Sequence, residues 1–184
     1  MAVKALILLA PGFEDLEAIG TVDILRRAGV DLTVASLHED AATGSRGTTV
    51  ATDTNLTLLG PDATFDAVIL PGGQPGANNL AADPRVIERV QAQNRTGRLV
   101  AAVCAAPKVL AAAGLLEGRR FTHFPGALTE QEAAGGEPLS DAVVVDGNIV
   151  TGRGPGVVID FALAVAEQLV GRETRDRVEA ALAR

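Results

Sequence analysis

Short apolar runs at 5–10, 67–70 and 99–103 share one pattern of ending. Each stops abruptly, the first at Pro11-Gly12, the second at Pro71-Gly72-Gly73 and the third at Cys104. A strand with no polar face needs cover on both sides, which is the situation in a parallel sheet between two layers of helices. The intervening segments supply those helices. Residues 14–28 place Leu16, Ile19, Val22 and Leu25 (or Ile24) at helical spacing and stop at Gly29, with Arg26 and Arg27 in the last turn. Residues 84–93 read as a helix with Asp83 as N-cap and Pro84 at its first position, and residues 107–113 as another that ends at Gly114.

The remaining pattern agrees with this plan. The first strand spans 3–10, and a second is expected over 32–37. A hairpin is expected over 143–151, turning at Asp146-Gly147-Asn148. A long helix over 157–170 and a short polar one over 173–182 close the chain. Residues 38–64 and 117–142 are irregular, apart from a short strand around Thr49-Val50-Ala51. The expectation is one α/β domain spanning 1–184, since ~150 residues make a typical domain.

Charge and cysteine count exclude several classes. Sixteen Lys and Arg against 23 Asp and Glu leave a net charge of −7, which argues against nucleic acid and anionic membrane surfaces as partners. The single cysteine rules out an intrachain disulfide framework and a multi-cysteine zinc site. The first apolar run is far shorter than the ~20 residues of a membrane span, and Glu14, Asp15 and Glu17 follow it; a cytoplasmic location is expected. His38 and His123 have no companions at metal-ligand spacing, so no metal is expected. Gly152-Arg153-Gly154-Pro155-Gly156 lacks the spacing of a phosphate-binding loop, so no nucleotide cofactor is expected either.

In open α/β sheets, sites form at the carboxyl ends of the strands. Three strand ends here carry unusual residues. Cys104 falls between an apolar strand and a helix, where a nucleophile would occupy a tight elbow and helix N–H groups would favour a thiolate. By position alone it equally fits a small buried hydrophobe. Gly72-Gly73 could aim an N–H at the same point and, with that of Ala105, make a two-donor oxyanion hole; a plain turn with positive φ explains the glycines as well. Glu14 and Asp15 suit the dipole of a helix start. Glu17, one turn on, could point toward a neighbouring strand end and exchange a proton with the thiol.

Taken in order, several segments resemble the ThiJ/PfpI superfamily, in particular the branch of the parkinsonism-associated protein deglycase and its bacterial relatives. They are Pro11 to Glu17, Val22 to Gly29, Leu70 to Gly73 with Gly76 to Leu80, Ala102 to Pro107, and Thr151 to Gly156 followed by Asp160 to Leu163. The resemblance implies a flavodoxin-like three-layer sandwich with a mostly parallel central sheet, assembled as a homodimer. It implies that Cys104 is the reactive cysteine, Glu17 the carboxylic acid bonded to it, and Gly73 and Ala105 the backbone donors. Gly72, Glu14 and Pro155 lie in the matching motifs, and Arg46 resembles an arginine that reaches the site from the dimer partner. One position departs: His123 stands one residue earlier than the histidine of the parkinsonism protein, and Phe124 occupies the matching place. The peptidase-like branch has His after the nucleophile, where this chain has Ala105. The glutamine amidotransferases need a late His-x-Glu, and no His follows residue 123.

The activity this implies is a cofactor-free glyoxalase, independent of glutathione, acting on a small reactive carbonyl such as methylglyoxal, with deglycase activity on early glycation adducts. The alternative is a redox-responsive protective protein in which Cys104 is oxidised to the sulfinic acid, since a low-pKa thiol oxidises most readily.

Overall fold

The computed structural model describes residues 2–184, and the three apolar runs become the middle of its sheet. In chain order the elements begin β1 (Lys4–Leu9), α1 (Asp15–Arg27), β2 (Asp31–Ser36), β3 (Ala41–Thr43), β4 (Thr49–Ala51), β5 (Thr54–Asn55) and α2 (Leu56–Leu59). The second stretch is β6 (Ala67–Leu70), α3 (Gly76–Ala82), α4 (Pro84–Arg95), β7 (Leu99–Val103) and α5 (Pro107–Ala112). Then come β8 (Arg120–Thr122), α6 (Glu130–Ala133), β9 (Glu137–Leu139), β10 (Val143–Asp146) and β11 (Ile149–Gly152). A 3-10 turn (Pro155–Val157) leads into α7 (Val158–Val170), and α8 (Arg172–Ala181) follows.

Seven strands form the main sheet in the order β10-β11-β7-β6-β1-β2-β5. Only β10, the hairpin partner of β11, runs antiparallel. Alternate residues of the central strands feed two separate cores. Ala5, Ile7 and Leu9 pack with Ile24, Leu25, Phe161 and Val165 on the side of α1 and α7. Leu6, Leu8 and Ala10 pack with Val86, Val90, Val109 and Leu110 on the side of α4 and α5. This is the flavodoxin-like three-layer sandwich, and both faces of the apolar strands are covered as their composition demands.

Local chemistry places the helix boundaries. Glu14 caps α1 by accepting the Glu17 N–H at 2.7 Å, and Asp83 caps α4 by accepting the Arg85 N–H at 2.9 Å, with Pro84 first in the helix. Strands β6 and β7 match their expected bounds, and β1, β2, α1, α7 and α8 match within a few residues. Helix α3 and the parallel pair β8–β9 went unread in the sequence: the first is rich in Ala and Asn and capped by no side chain, the second is only three residues per strand.

The chain leaves β1 toward β2 on one side and returns to β6 on the other, so the order reverses between β1 and β6. Their carboxyl ends therefore open a crevice, and the end of β7 lies next to it. The expected chemistry falls at these three ends.

Candidate active site

Cys104 follows the last residue of β7 and is a non-glycine residue at φ +62°. Left-handed backbone at such a residue carries strain, and it recurs where a nucleophile is lifted out of a strand into a helix. The elbow is pinned on both sides. The Cys104 N–H donates to the Gly152 carbonyl at 2.9 Å, and the Cys104 carbonyl accepts the Phe124 N–H at 2.8 Å. Pro107 starts α5 as expected, but that helix has only six residues. The polarisation at the sulfur therefore comes from individual N–H groups rather than from a long helix.

Glu17 comes to this point from the first turn of α1. Its side chain is 0% exposed, and its Oε2 accepts the Gly72 N–H at 2.8 Å. Its Oε1 is buried and receives no hydrogen bond among the described residues. The carboxyl's other interaction is with the Cys104 thiol. Gly72 is the hinge of the arrangement: a Cβ there would fall 2.7 Å from Cys104 Cβ, 2.8 Å from the Ala105 nitrogen and 2.9 Å from Glu17 Oε2. The absence of a side chain at residue 72 lets acid, thiol and backbone donor meet. Gly73 has φ +88°, so it meets the turn requirement, and its N–H also reaches the sulfur together with that of Ala105.

The electrostatics correct one expectation. The N–H groups of Gly73 and Ala105 do pull the thiol toward ionisation, but they are outweighed. Burial, followed by the charge of Glu17 and a hydrogen bond with it, pushes Cys104 up to about 12. Burial pushes Glu17 up to about 7, with a smaller push from Glu14 and against the hydrogen bonds from Gly72 and Cys104. A thiolate standing alone at neutral pH is therefore not what this pocket favours. Two acids in one dry place titrate as a pair, and between about 7 and about 12 the pair holds one proton. Ionised Glu17 in that state is a base beside the thiol.

The remaining candidates divide. Glu14 serves as the cap of α1, and its own N–H donates to the Gly72 carbonyl at 2.9 Å, tying the helix start to the glycine turn. Asp15 binds the β3–β4 turn instead of only facing the helix dipole: it accepts the Arg46 N–H at 2.8 Å and the Thr48 N–H at 2.9 Å. Arg46 is thus held by its backbone, with its side chain exposed. Pro155 lines an apolar groove with Leu16, Gly20 and Ile159. His123 makes no hydrogen bond to Cys104. Its Nδ1–H donates to the Phe124 carbonyl at 2.8 Å, and its ring stacks on Phe121 at 5.8 Å. Sequence reasoning missed the Phe124 backbone bond to the elbow. His38 is exposed, with Nδ1 3.4 Å from Arg85. Among the described residues no three His, Cys, Asp or Glu side chains gather as metal ligands would, and no helix is long and apolar enough to cross a membrane.

A cysteine on a strained strand-to-helix elbow, backed by a buried acid and two backbone donors, defines a class of thiol-dependent proteins on flavodoxin-like folds. The DJ-1/PfpI family model matches residues 3–168, and the chain belongs to that family. It is 42% identical over 175 residues to protein dj-1beta of Drosophila melanogaster, covering 94% of this chain and 92% of that one. It is 36% identical over 172 residues to the glutathione-independent glyoxalase DJR-1.2 of Caenorhabditis elegans, covering 92% and 90%. The crystal structure of Drosophila DJ-1beta superposes with a TM-score of 0.94 at 40% identity, covering 100% of this chain and 98% of that one.

Proposed function

We propose that this protein is a cofactor-free glyoxalase that converts a 2-oxoaldehyde such as methylglyoxal to the 2-hydroxy acid, with Cys104 as nucleophile and Glu17 as proton carrier. The observation that carries the reading is the buried Glu17–Cys104 pair bracketing Gly72, with two N–H groups at the sulfur. As the sulfur attacks the aldehyde carbon, the thiol proton passes to Glu17. The new oxyanion rests on the N–H groups of Gly73 and Ala105 and then takes the proton, giving a hemithioacetal. Glu17 removes the hydrogen from the former aldehyde carbon and returns it to the ketone carbon. The first carbon is oxidised by two electrons and the second reduced by two. Water hydrolyses the resulting thioester, releasing the 2-hydroxy acid and restoring the thiol. The same addition step gives early glycation adducts a route to release, which is the deglycase form of the reading.

The chain works as a homodimer in this reading. Leu16 and Ile19 on α1 and Ile159 on α7 keep large apolar side chains in water, beside the groove that Pro155 lines. In this reading Arg46, exposed on its anchored turn, is the residue that reaches a second copy. The experiment is turnover of methylglyoxal without glutathione, in wild type and Cys104→Ser. Full activity in the variant would end the mechanism.

A second reading uses the same atoms. Two successive peroxides, each reduced to water, would take Cys104 to the sulfinic acid, and a neutral Glu17 would donate a hydrogen bond to it. The unpartnered Oε1 favours this reading. A two-oxygen adduct on Cys104, stable in wild type and lost in Glu17→Leu by mass spectrometry, is its signature.

A further inference from the structure

The polar groups around the sulfur account for the reacting carbonyls and leave the substrate's third substituent without a recognised contact. Phe124 is tied to the elbow through its backbone. Its backbone is held by three hydrogen bonds: its N–H donates to the Cys104 carbonyl at 2.8 Å, and its carbonyl accepts the Ala127 N–H at 2.9 Å and His123 Nδ1–H at 2.8 Å. His123 is itself braced by its stack on Phe121. The Phe124 ring lies over Gly154, where a Cβ would fall 3.1 Å from its Cδ2. Gly154 comes two residues after Gly152, whose carbonyl holds the Cys104 N–H. An aromatic ring therefore stands on a fixed base, one hydrogen bond from the nucleophile's own peptide, and remains 47% exposed. A half-exposed ring is a poor core residue, whereas a ring anchored on the peptide that carries the thiol is a surface for another flat apolar group.

We propose that Phe124 is the specificity-determining wall of the Cys104 site, and that it favours reactive carbonyls whose third substituent is planar and apolar over those bearing a methyl group. His123 is a positioning residue for that wall, not an acid or base at the sulfur. This inference rests on the glyoxalase reading for its substrates but not for its geometry, and the experiment separates the two.

The measurement is the ratio of kcat/KM for phenylglyoxal to that for methylglyoxal, in wild type, Phe124→Leu and Phe124→Ala. Beside it runs the ratio of Cys104 alkylation rates by iodoacetanilide and by iodoacetamide, which needs no turnover. Aromatic contacts of this kind are worth up to about tenfold, so Phe124→Ala is expected to lower both aryl preferences by about that factor, with Phe124→Leu between. His123→Ala is expected to lower them less, and to raise the scatter of the ring rather than shift any pH profile. Unchanged ratios in both Phe124 variants overturn the proposal. That includes the outcome in which the variants instead weaken dimers, which would mean a second copy covers the ring. If wild type turns over neither oxoaldehyde, the glyoxalase reading fails while the alkylation ratio still decides for or against the wall. Should Phe124→Ala fail to fold, Phe124→Leu carries the same comparison.

Discussion

The two ends of the central sheet make opposite use of the same strands. At the amino ends lies a cleft of about 610 Å³, bordered by Val3, Asp66, Arg98, Asn148 and Gln168. Two of its polar side chains are tied down: Asp66 accepts the Lys4 N–H at 2.8 Å, and the Asn148 amide donates to Asn94 Oδ1 and to the Arg98 carbonyl, both at 3.0 Å. At the carboxyl ends Cys104 is only 8% exposed, yet that end holds a cysteine with strained backbone, a buried acid and an unsatisfied carboxyl oxygen. Space therefore does not mark the chemistry in this molecule. The marks are local features that cost stability and that the surrounding fold holds in place.

That contrast can be broken most directly at Cys104. Replacing it with Ser or Ala should lower methylglyoxal turnover by about a thousandfold or more, a typical loss for a covalent nucleophile, while the folded spectrum persists. The next effect is at Glu17. Its pKa is about 7 in the folded chain against an ordinary 4.5, so in that window the folded chain keeps a proton that the unfolded chain has lost. Stability must then fall as pH rises from 4.5 through about 7, by about 3 kcal/mol in all, and Glu17→Gln should flatten the slope in urea titrations at pH 5 and pH 8. A parallel slope in the variant would place the proton elsewhere.

Gly72→Ala sharpens the contrast through space alone. The added methyl meets three groups under 3.0 Å, so a cost of about 2 kcal/mol and loss of turnover are expected. Gly97, beside the amino-end cleft, has φ +69° and nothing within 4 Å. Gly97→Ala should cost about 1 kcal/mol of backbone strain with turnover intact. The smallest effect belongs to Asn148→Ala, about 1 kcal/mol or less by thermal melting, with turnover likewise intact.

The sequence made the sheet legible because short apolar runs that stop at Pro-Gly or Cys suit strands covered on both faces, and β6 and β7 followed their runs residue for residue. Its silence over 117–142 has a physical cause too: β8 and β9 are three-residue strands whose pairing depends on Phe121 and Leu116 reaching the core, not on local alternation. The site divides in the same way. Cys104, Glu17, Gly73 and Ala105 were readable because each ends or follows an apolar strand or opens a helix. The direction of the thiol's shift was not, since it depends on how deeply two distant segments bury one another. Nor was the role of Asp15 as anchor of the β3–β4 turn, or that of Phe124 at the elbow, because both bonds join residues far apart in the chain.

The central claim is that Cys104 and Glu17 share one proton near neutral pH and exchange it during attack. It is tested by the rate of Cys104 alkylation against pH in wild type and Glu17→Gln. Wild type should gain reactivity in a step near pH 7, and the variant should lose that step and react only as its thiol ionises in the alkaline range. Superimposable profiles would show that the carboxyl has no part in the reactivity of the sulfur.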